Sequence, residues 1–257
     1  MEKRELPIAV IDSGLGGISV LGRICQMLPE EKFIYFGDSA NAPYGERSGE
    51  WIIERCCEIV SHFLDRGAKA VVIACNTATS AAAAHLRERW RDVPIIGLEP
   101  ALKPAAEDPS EGAVAVMATP VTLRGEKFSA LLERFKEKKD IVVMPAPRLV
   151  EFVEHGIYGG GEVERYVAEL FRPYRDKKFA SVVLGCTHFP FVKDTVAKVI
   201  GDVKFFDGAD GTARETVRRL TELSLLSEDH DGYVVMENSL PGDEIIERSW
   251  ELFERKL

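Results

Sequence analysis

Short apolar runs alternate with longer segments of helical periodicity along the first hundred residues. The apolar runs are "PIAVID" (7–12), "KFIYFGD" (32–38), "KAVVIAC" (69–75) and "PIIGLE" (94–99). They are rich in β-branched residues and do not alternate with polar ones, which predicts strands buried on both faces of a parallel sheet. Between them, "GISVLGRICQML", "SGEWIIERCCEIVSHFLDRG" and "SAAAAHLRERW" have the spacing of amphipathic helices. This succession predicts βαβ units and an α/β fold.

The same succession restarts after residue 111. The later segments "GAVAVMATPVT" (112–122), "ASVVLGCTH" (180–188) and "VKFFDGAD" (203–210) have the shapes of "PIAVIDSGLGG", "AVVIACNTA" and "VPIIGLEP". We therefore predict two pseudo-symmetric domains, each a mainly parallel sheet flanked by helices, with the active site in the cleft between them. The predicted domains are 1–98 plus 210–257 and 99–209. We expect the tail from about residue 211 to be helical and to pack on the first half.

The composition and net charge of the chain exclude several classes of protein. The chain has 257 residues, 46% of them hydrophobic, and a formal net charge of −9, which predicts a soluble globular protein without nucleic acid or anionic membrane as a partner. The N-terminal apolar run is too short for a signal peptide, and Asn76 and Thr77 interrupt the longest apolar region. Five cysteines without CxxC pairs favour a reducing cytoplasm and no structural zinc.

Polar or reactive residues stand where the predicted strands end, which is the edge of a parallel sheet at which ligands bind. We expect these side chains to converge on the cleft: Asp12, Asp38, Cys75, Glu99, Thr119, Cys186 and Asp207. Cys75 is expected at the N-terminus of the next helix, where the helix dipole and free N–H groups would lower its pKa toward neutrality.

Capping-type residues distinguish two of the cysteines from the rest. Asn76 and Thr77 follow Cys75, and Thr187 and His188 follow Cys186, which makes His188 a candidate acid or base. Cys25, Cys56 and Cys57 lie inside amphipathic helices and are expected to be core residues.

Two glycine-containing segments carry weaker signals. "DSGLGG" (12–17) lacks the third glycine of a dinucleotide-binding fingerprint, so we expect a tight turn with Asp12 and Ser13 as helix caps. "NAPYGERS" (41–48) is a proline–glycine turn or a surface loop.

Six segments together resemble the glutamate racemases, cofactor-independent members of the aspartate/glutamate racemase superfamily. They are "AVIDSGLGG", "GDSANAPYGERS", "ACNTATS", "IIGLEPALKPA", "LVEFVEHG" and "LGCTHFP", in the family's order and over nearly the whole chain. The chain departs from the usual family residues at Gly125, Phe128, Ala146, Glu151 and Gly208.

The resemblance assigns roles to individual residues. It implies that Cys75 and Cys186 are the two catalytic acid/bases, that Asp12 and His188 each assist the cysteine on their own side, and that Glu154 lies near the second cysteine. It further implies that the amino acid is held by a larger set: Asp12, Ser13, Pro43, Tyr44, Gly45, Asn76, Thr77, Thr119, Thr187 and His188.

The function expected from this resemblance is conversion of L-glutamate to D-glutamate for peptidoglycan synthesis, in the cytoplasm and without metal or cofactor. Inversion at an α-carbon needs one acid/base group on each face, which two pseudo-symmetric halves supply. We also expect a homodimer. Two alternatives stay open: a racemase of aspartate or a hydantoin on the same fold, or a different class, such as a thiol redox protein or an amino-acid-binding module without turnover.

Overall fold

Two parallel sheets, each covered by helices, make up the protein. The structure is a computed structural model that describes residues 2–98 and 101–255, apart from the side chain of Lys127. Its strands are β1 (Ile8–Asp12), β2 (Lys32–Gly37), β3 (Ala70–Ile73), β4 (Ile95–Gly97), β5 (Ala113–Ala118), β6 (Ile141–Pro145), β7 (Phe179–Leu184), β8 (Lys204–Phe206) and β9 (Tyr233–Asn238).

The helices lie between the strands and after them. They are α1 (Ile18–Met27), α2 (Gly49–Asp65), α3 (Asn76–Arg89), α4 (Leu102–Glu107), α5 (Pro120–Arg124), α6 (Glu126–Phe135), α7 (Arg148–Glu154), α8 (Gly161–Phe171), α9 (Lys193–Ile200), α10 (Ala209–Glu222) and α11 (Asp243–Glu254). Short 3₁₀ turns cover Lys3–Glu5, Ser39–Asn41, Tyr44–Glu46, Arg172–Tyr174 and Phe189–Val192.

The two sheets share one topology. Their strand orders are β4-β3-β1-β2-β9 and β6-β5-β7-β8, and all the paired strands run parallel. Read from the other edge, the second sheet is β8-β7-β5-β6, which matches β4-β3-β1-β2 strand by strand. The predicted α/β fold with two pseudo-symmetric halves is therefore confirmed.

Both faces of each sheet are covered, which explains why the strands are apolar at nearly every position. In β1, Ile8 and Val10 belong to an apolar cluster that also contains residues of the second half, whereas Ala9 and Ile11 belong to a separate cluster of the first half. Successive strand residues point to opposite faces, so two covered faces require apolar residues at every position. One continuous apolar cluster thus joins the two halves.

The tail contributes more than the predicted helix. Helix α10 packs on α1, and β9 then adds a parallel edge strand beside β2, followed by α11. The strand was missed because it is an edge strand, with Tyr233 and Val235 exposed to solvent. These contacts support our proposal that residues 210–257 belong with the first half. Among the residues described, no helix combines the length and apolarity needed to cross a membrane.

Candidate active site

Cys75 lies between the end of β3 and the start of α3. It is the N-cap residue of that helix, and its Sγ accepts a hydrogen bond from the backbone N–H of Ala78 at 3.4 Å. Its thiol donates to Ser13 Oγ at 3.5 Å. The residue is only 5% exposed. The predicted position at a helix N-terminus is confirmed.

The predicted effect on acidity is wrong. Burial raises the pKa of Cys75 well above its usual value, and the nearby carboxylate of Asp12 raises it further. The Ala78 N–H and the Ser13 hydroxyl, both of which can donate to a thiolate, act in the opposite direction but do not compensate. Loss of solvation disfavours the thiolate more strongly than the helix N-terminus favours it. Cys75 is therefore a neutral thiol at pH 7 in this structure.

Cys186 follows β7 and has a different environment. The Nδ1 atom of His188 lies 3.6 Å from its Sγ, and Nε2 of the same ring lies 2.6 Å from Oε1 of Glu154. Both Cys186 and His188 are buried. Glu154, at the end of α7, thus stands behind the histidine and orients it toward the thiol.

His188 and Glu154, the two residues next to Cys186, form a charged pair. Burial alone would lower the pKa of His188, but its hydrogen bonds to Cys186 and Glu154 raise it well above the usual value. Burial would raise the pKa of Glu154, but the hydrogen bond and charge of His188 bring it below the usual value. The pair is therefore an imidazolium and a carboxylate at neutral pH. Both ring nitrogens then carry protons, so Nδ1–H donates toward the Cys186 sulfur.

Asp12 organises the turn between β1 and α1. Its Oδ2 accepts from the backbone N–H groups of Gly17 at 2.9 Å and Gly14 at 3.3 Å. The hydroxyl of Thr187, from the other half, donates to Oδ1 at 3.5 Å. Burial raises the pKa of Asp12, which the charge of His188 only partly opposes. The predicted caps of α1 are wrong, because its N-cap residue is Gly17 and no side chain caps it. Asp12 instead binds N–H groups of the preceding turn, and the Ser13 hydroxyl accepts from Cys75.

The glycines of "DSGLGG" let the second half approach this turn. A Cβ at Gly14 would lie 2.0 Å from Oε1 of Glu154, and a Cβ at Gly16 would lie 2.3 Å from Nδ1 of His188. Neither distance is compatible with a side chain. The side chains of His188 and Glu154, from the opposite half, therefore pack directly against the backbone of this turn.

Hydroxyl groups bridge the two halves near Cys75. Thr77 Oγ1, in the first turn of α3, lies 3.0 Å from Thr119 Oγ1 and 3.4 Å from Thr122 Oγ1. Thr119 caps α5. Next to Thr77, the amide oxygen of Asn76 is buried and has no hydrogen-bond partner among the described residues. An acceptor left open in a buried polar region suits a donor group of a ligand.

The predicted proline–glycine loop, residues 41–48, lies between the two halves on the Thr119 side of this buried region. Tyr44 is buried, and Gly45 lies so close to Thr119 that a Cβ there would be 3.2 Å from the threonine Cβ. The Tyr44 hydroxyl donates to Asp38 at 2.6 Å, so that hydroxyl faces Asp38. The loop, which also carries Pro43, thus connects the two halves and is no free surface loop.

The predicted convergence of strand-end residues is correct only in part. Asp12, Cys75, Thr119 and Cys186 lie in the buried region between the halves. Asp38 accepts hydrogen bonds from Arg55, Tyr44 and Asn41 and faces the first half's own loop. Asp207 accepts a hydrogen bond from the backbone N–H of Ala209 and lines a different cavity of about 1470 Å³. Glu99 lies outside the described residues.

The other three cysteines lie within helices, as the sequence predicts. Cys56 and Cys57 are buried core residues of α2, and Cys25 is half-buried in α1. In residues 2–98 and 101–255, no cluster of three or more His, Cys, Asp or Glu side chains could hold a metal ion.

Several polar residues of the region were missed by the sequence analysis. The backbone N–H of Leu15 donates to Glu154 Oε1 at 2.6 Å, and the Ser39 hydroxyl donates to Oε2 at 3.1 Å. Asn238, at the end of β9, donates to Ser39 Oγ at 3.0 Å. Only the position of Ser39 next to Asp38 in "GDSANAPYG" was a signal in the sequence.

The comparisons with known proteins agree with this geometry. The family model described as Asp/Glu/Hydantoin racemase matches residues 8–216. A glutamate racemase of Clostridium perfringens (strain SM101) is 47% identical over 255 residues, covering 98% of both chains. The crystal structure of Escherichia coli glutamate racemase with L-glutamate and the activator UDP-MurNAc-Ala matches with a TM-score of 0.84 and 30% identity, over 96% of this chain and 95% of that one. That of the Francisella tularensis glutamate racemase with D-glutamate matches with a TM-score of 0.83 and 26% identity, over 99% and 96%. The chain therefore belongs to the glutamate racemases of the Asp/Glu/hydantoin racemase family, a family of isomerases.

Proposed function

We propose that this protein interconverts L- and D-glutamate, with Cys75 and Cys186 as acid/base groups on opposite faces of the α-carbon. The observation that carries the proposal is the pair of buried thiols at the ends of β3 and β7, strands that correspond in two halves of one topology. A pseudo-two-fold arrangement is what inversion of a tetrahedral centre needs, because the proton leaves from one face and arrives on the other.

The two thiols carry complementary charge environments. One group must begin as a base and the other as an acid. The imidazolium of His188 faces the sulfur of Cys186, whereas burial and Asp12 keep Cys75 protonated. These charges favour Cys186 as the first base and Cys75 as the first acid. After one turnover the protonation states are exchanged, so the same site serves the reverse reaction.

The substrate would be held by the polar groups between the thiols. The open acceptor of Asn76 suits the α-ammonium group. The hydroxyls of Thr77, Thr119 and Thr187 are donors for the carboxylates, and they would stabilise the negative charge that develops when the α-proton leaves. Glutamate as the substrate is supported by relatives whose solved structures hold L-glutamate or D-glutamate. The proposed binding set is completed by six further residues: Asp12, Ser13, Pro43, Tyr44, Gly45 and His188.

Entry of a substrate requires movement. Both cysteines, Asn76 and His188 are less than a tenth exposed. The contacts that close this region, between Thr77 and Thr119 and between Leu15 and Glu154, join the two halves. We therefore expect the halves to separate for binding and release.

The remaining parts of the proposal rest on the family. D-glutamate would supply peptidoglycan synthesis, and the reaction would use no cofactor, because the proposed chemistry needs only the two thiols and their donors. A homodimer and a cytoplasmic location stay predictions.

The test is the reaction in D₂O, sampled early. A thiol carries one hydrogen, so D-glutamate formed from L-glutamate should contain deuterium at the α-carbon while unreacted L-glutamate stays protiated. The pattern should reverse with D-glutamate as substrate. Cys75→Ser and Cys186→Ser should each lower activity at least about a hundredfold, because a serine hydroxyl is a far weaker acid/base near neutrality. Cys25→Ser is the matched control and should stay active.

Three results would contradict the proposal. Early deuterium in the unreacted enantiomer would indicate a single base. Turnover of L-aspartate or a hydantoin in preference to glutamate would identify the wrong substrate. Binding of glutamate without turnover, in protein with all thiols reduced, would indicate a binding module.

A further inference from the structure

The carboxylate of Asp38 is fully buried just after β2, and among the described residues one cation, Arg55, pairs with it. Arg55, from α2, donates from Nε to Oδ2 and from Nη2 to Oδ1, both at 2.8 Å. The other end of the guanidinium contacts Glu58, whose side chain is exposed. A two-point pair between arginine and carboxylate fixes both direction and distance. Arg55 thus determines where the Asp38 oxygens lie.

Those oxygens in turn hold the loop that follows. Tyr44 donates its hydroxyl to Oδ2 at 2.6 Å, and Asn41 donates from Nδ2 to Oδ1 at 3.0 Å. With the two bonds from Arg55, each oxygen accepts two donors, which satisfies the carboxylate. Burial would raise the pKa of Asp38, but Arg55 and Tyr44 bring it below the usual value, so the charge is retained.

The loop lies against the proposed substrate site. Tyr44 and Cys75 belong to one buried apolar cluster, and the ring of Trp51 packs edge-on against Tyr44 with centroids 5.4 Å apart. On its other side, Gly45 contacts Thr119 of the second half. A shift of this loop would therefore uncover Cys75 and move one wall of the site.

We propose that Arg55 is a positioning residue that sets substrate affinity through Asp38 and the loop of Pro43, Tyr44 and Gly45. This inference rests on the proposed function, since it assigns the loop to glutamate binding. Arg55 itself touches none of the reacting groups. Its effect arises because a buried carboxylate without a cation has to draw in water or change position, and either movement displaces the loop.

Arg55→Met tests this role through KM, kcat and thiol reactivity. KM for glutamate should rise about tenfold or more, because two hydrogen bonds to an ionised group that position the loop are lost, while kcat changes much less. Independently of turnover, alkylation of Cys75 by iodoacetamide without ligand should become faster. Arg218→Met, which removes a surface arginine that pairs with Glu215, is the matched control and should change neither quantity.

Two further variants separate positioning from general loss of stability. Asp38→Asn in the Arg55→Met background removes the unpaired charge, and KM and the alkylation rate should return toward wild type. Arg55→Lys keeps the charge without the two-point geometry and should give an intermediate KM. Circular dichroism and a thermal unfolding curve on each variant would verify that it is folded.

The inference is overturned if KM and Cys75 alkylation in Arg55→Met match wild type, or if kcat falls as much as KM rises. It is also overturned if the double variant remains as impaired as Arg55→Met. The proposed function would fail differently, through wild-type protein that does not racemise glutamate or through active cysteine variants, so the two failures are distinguishable.

Discussion

Replacing Glu154 by glutamine removes the charge that faces His188 while keeping the shape of the side chain. The amide oxygen of the glutamine can still accept hydrogen bonds from the Leu15 N–H and from Nε2 of His188. In the wild-type protein, both of these nitrogens lie 2.6 Å from Oε1 of Glu154. The lost quantity is the interaction of a carboxylate with a buried imidazolium. A hydrogen bond of this charged kind contributes about 1.5–3 kcal/mol, so we expect Glu154→Gln to lower the free energy of unfolding by about that amount near pH 6.

The pH dependence gives this prediction its sign. His188 has a folded-state pKa raised above 6.5, so its contribution is fully present below pH 6.5 and is lost as the pH rises through its folded pKa. Glu154 has a folded-state pKa below 4.5, so its contribution is present above pH 4.5 and is lost as the pH falls through its folded value. The difference between wild type and variant should be largest between pH 4.5 and 6.5. It should shrink at higher pH, because a neutral His188 no longer needs a carboxylate.

Urea unfolding between pH 5 and pH 10 measures this difference. Glu151→Gln is the control, because Glu151 is on the same helix but exposed, and its free energy of unfolding should stay within about 0.5 kcal/mol of wild type. The same Glu154→Gln protein should lose racemase activity, since a neutral His188 no longer donates through both nitrogens. A stability difference that is constant with pH, or that grows as the pH rises, would refute the assignment of an imidazolium–carboxylate pair.

Two further predictions concern the packing and the accessibility of the site. Gly16→Ala should destabilise the protein by about 1–3 kcal/mol and lower activity, because the new Cβ would lie 2.3 Å from Nδ1 of His188. The control is Gly22→Ala in α1, where a Cβ would meet open space, and this variant should be as stable as wild type or more stable. Equal thermal stabilities for the two variants would contradict this prediction. Saturating glutamate should slow alkylation of Cys75 and Cys186 relative to the other thiols, as read by mass spectrometry of labelled peptides, and an unchanged rate at Cys75 would remove it from the binding site.

The α/β fold and the repeat could be predicted because they depend on local pattern. Strands covered on both faces need unbroken apolar runs, and "KAVVIAC" and "SVVLGC" are such runs, each ending in a cysteine. The same pattern singled out Cys75, Cys186 and His188, whereas only the resemblance to a known family supplied Glu154. The edge strand β9 escaped prediction because half-exposed strands carry a weaker pattern.

Contacts between distant segments were decided by tertiary structure alone. Asp38 and Asp207 stand at equivalent kinds of position in the sequence, yet one is enclosed by Arg55 and the other lines a separate cavity.

The protonation of Cys75 was also decided by tertiary structure. The helix N-terminus at Cys75 is visible in the sequence and favours a thiolate, but the burial and the neighbouring carboxylate that outweigh it are not. The cation beside Cys186 exists because α7 brings Glu154 to His188 across 34 residues. A sequence determines which groups are available, whereas their solvation and charge depend on which groups the folded chain brings within a few ångströms.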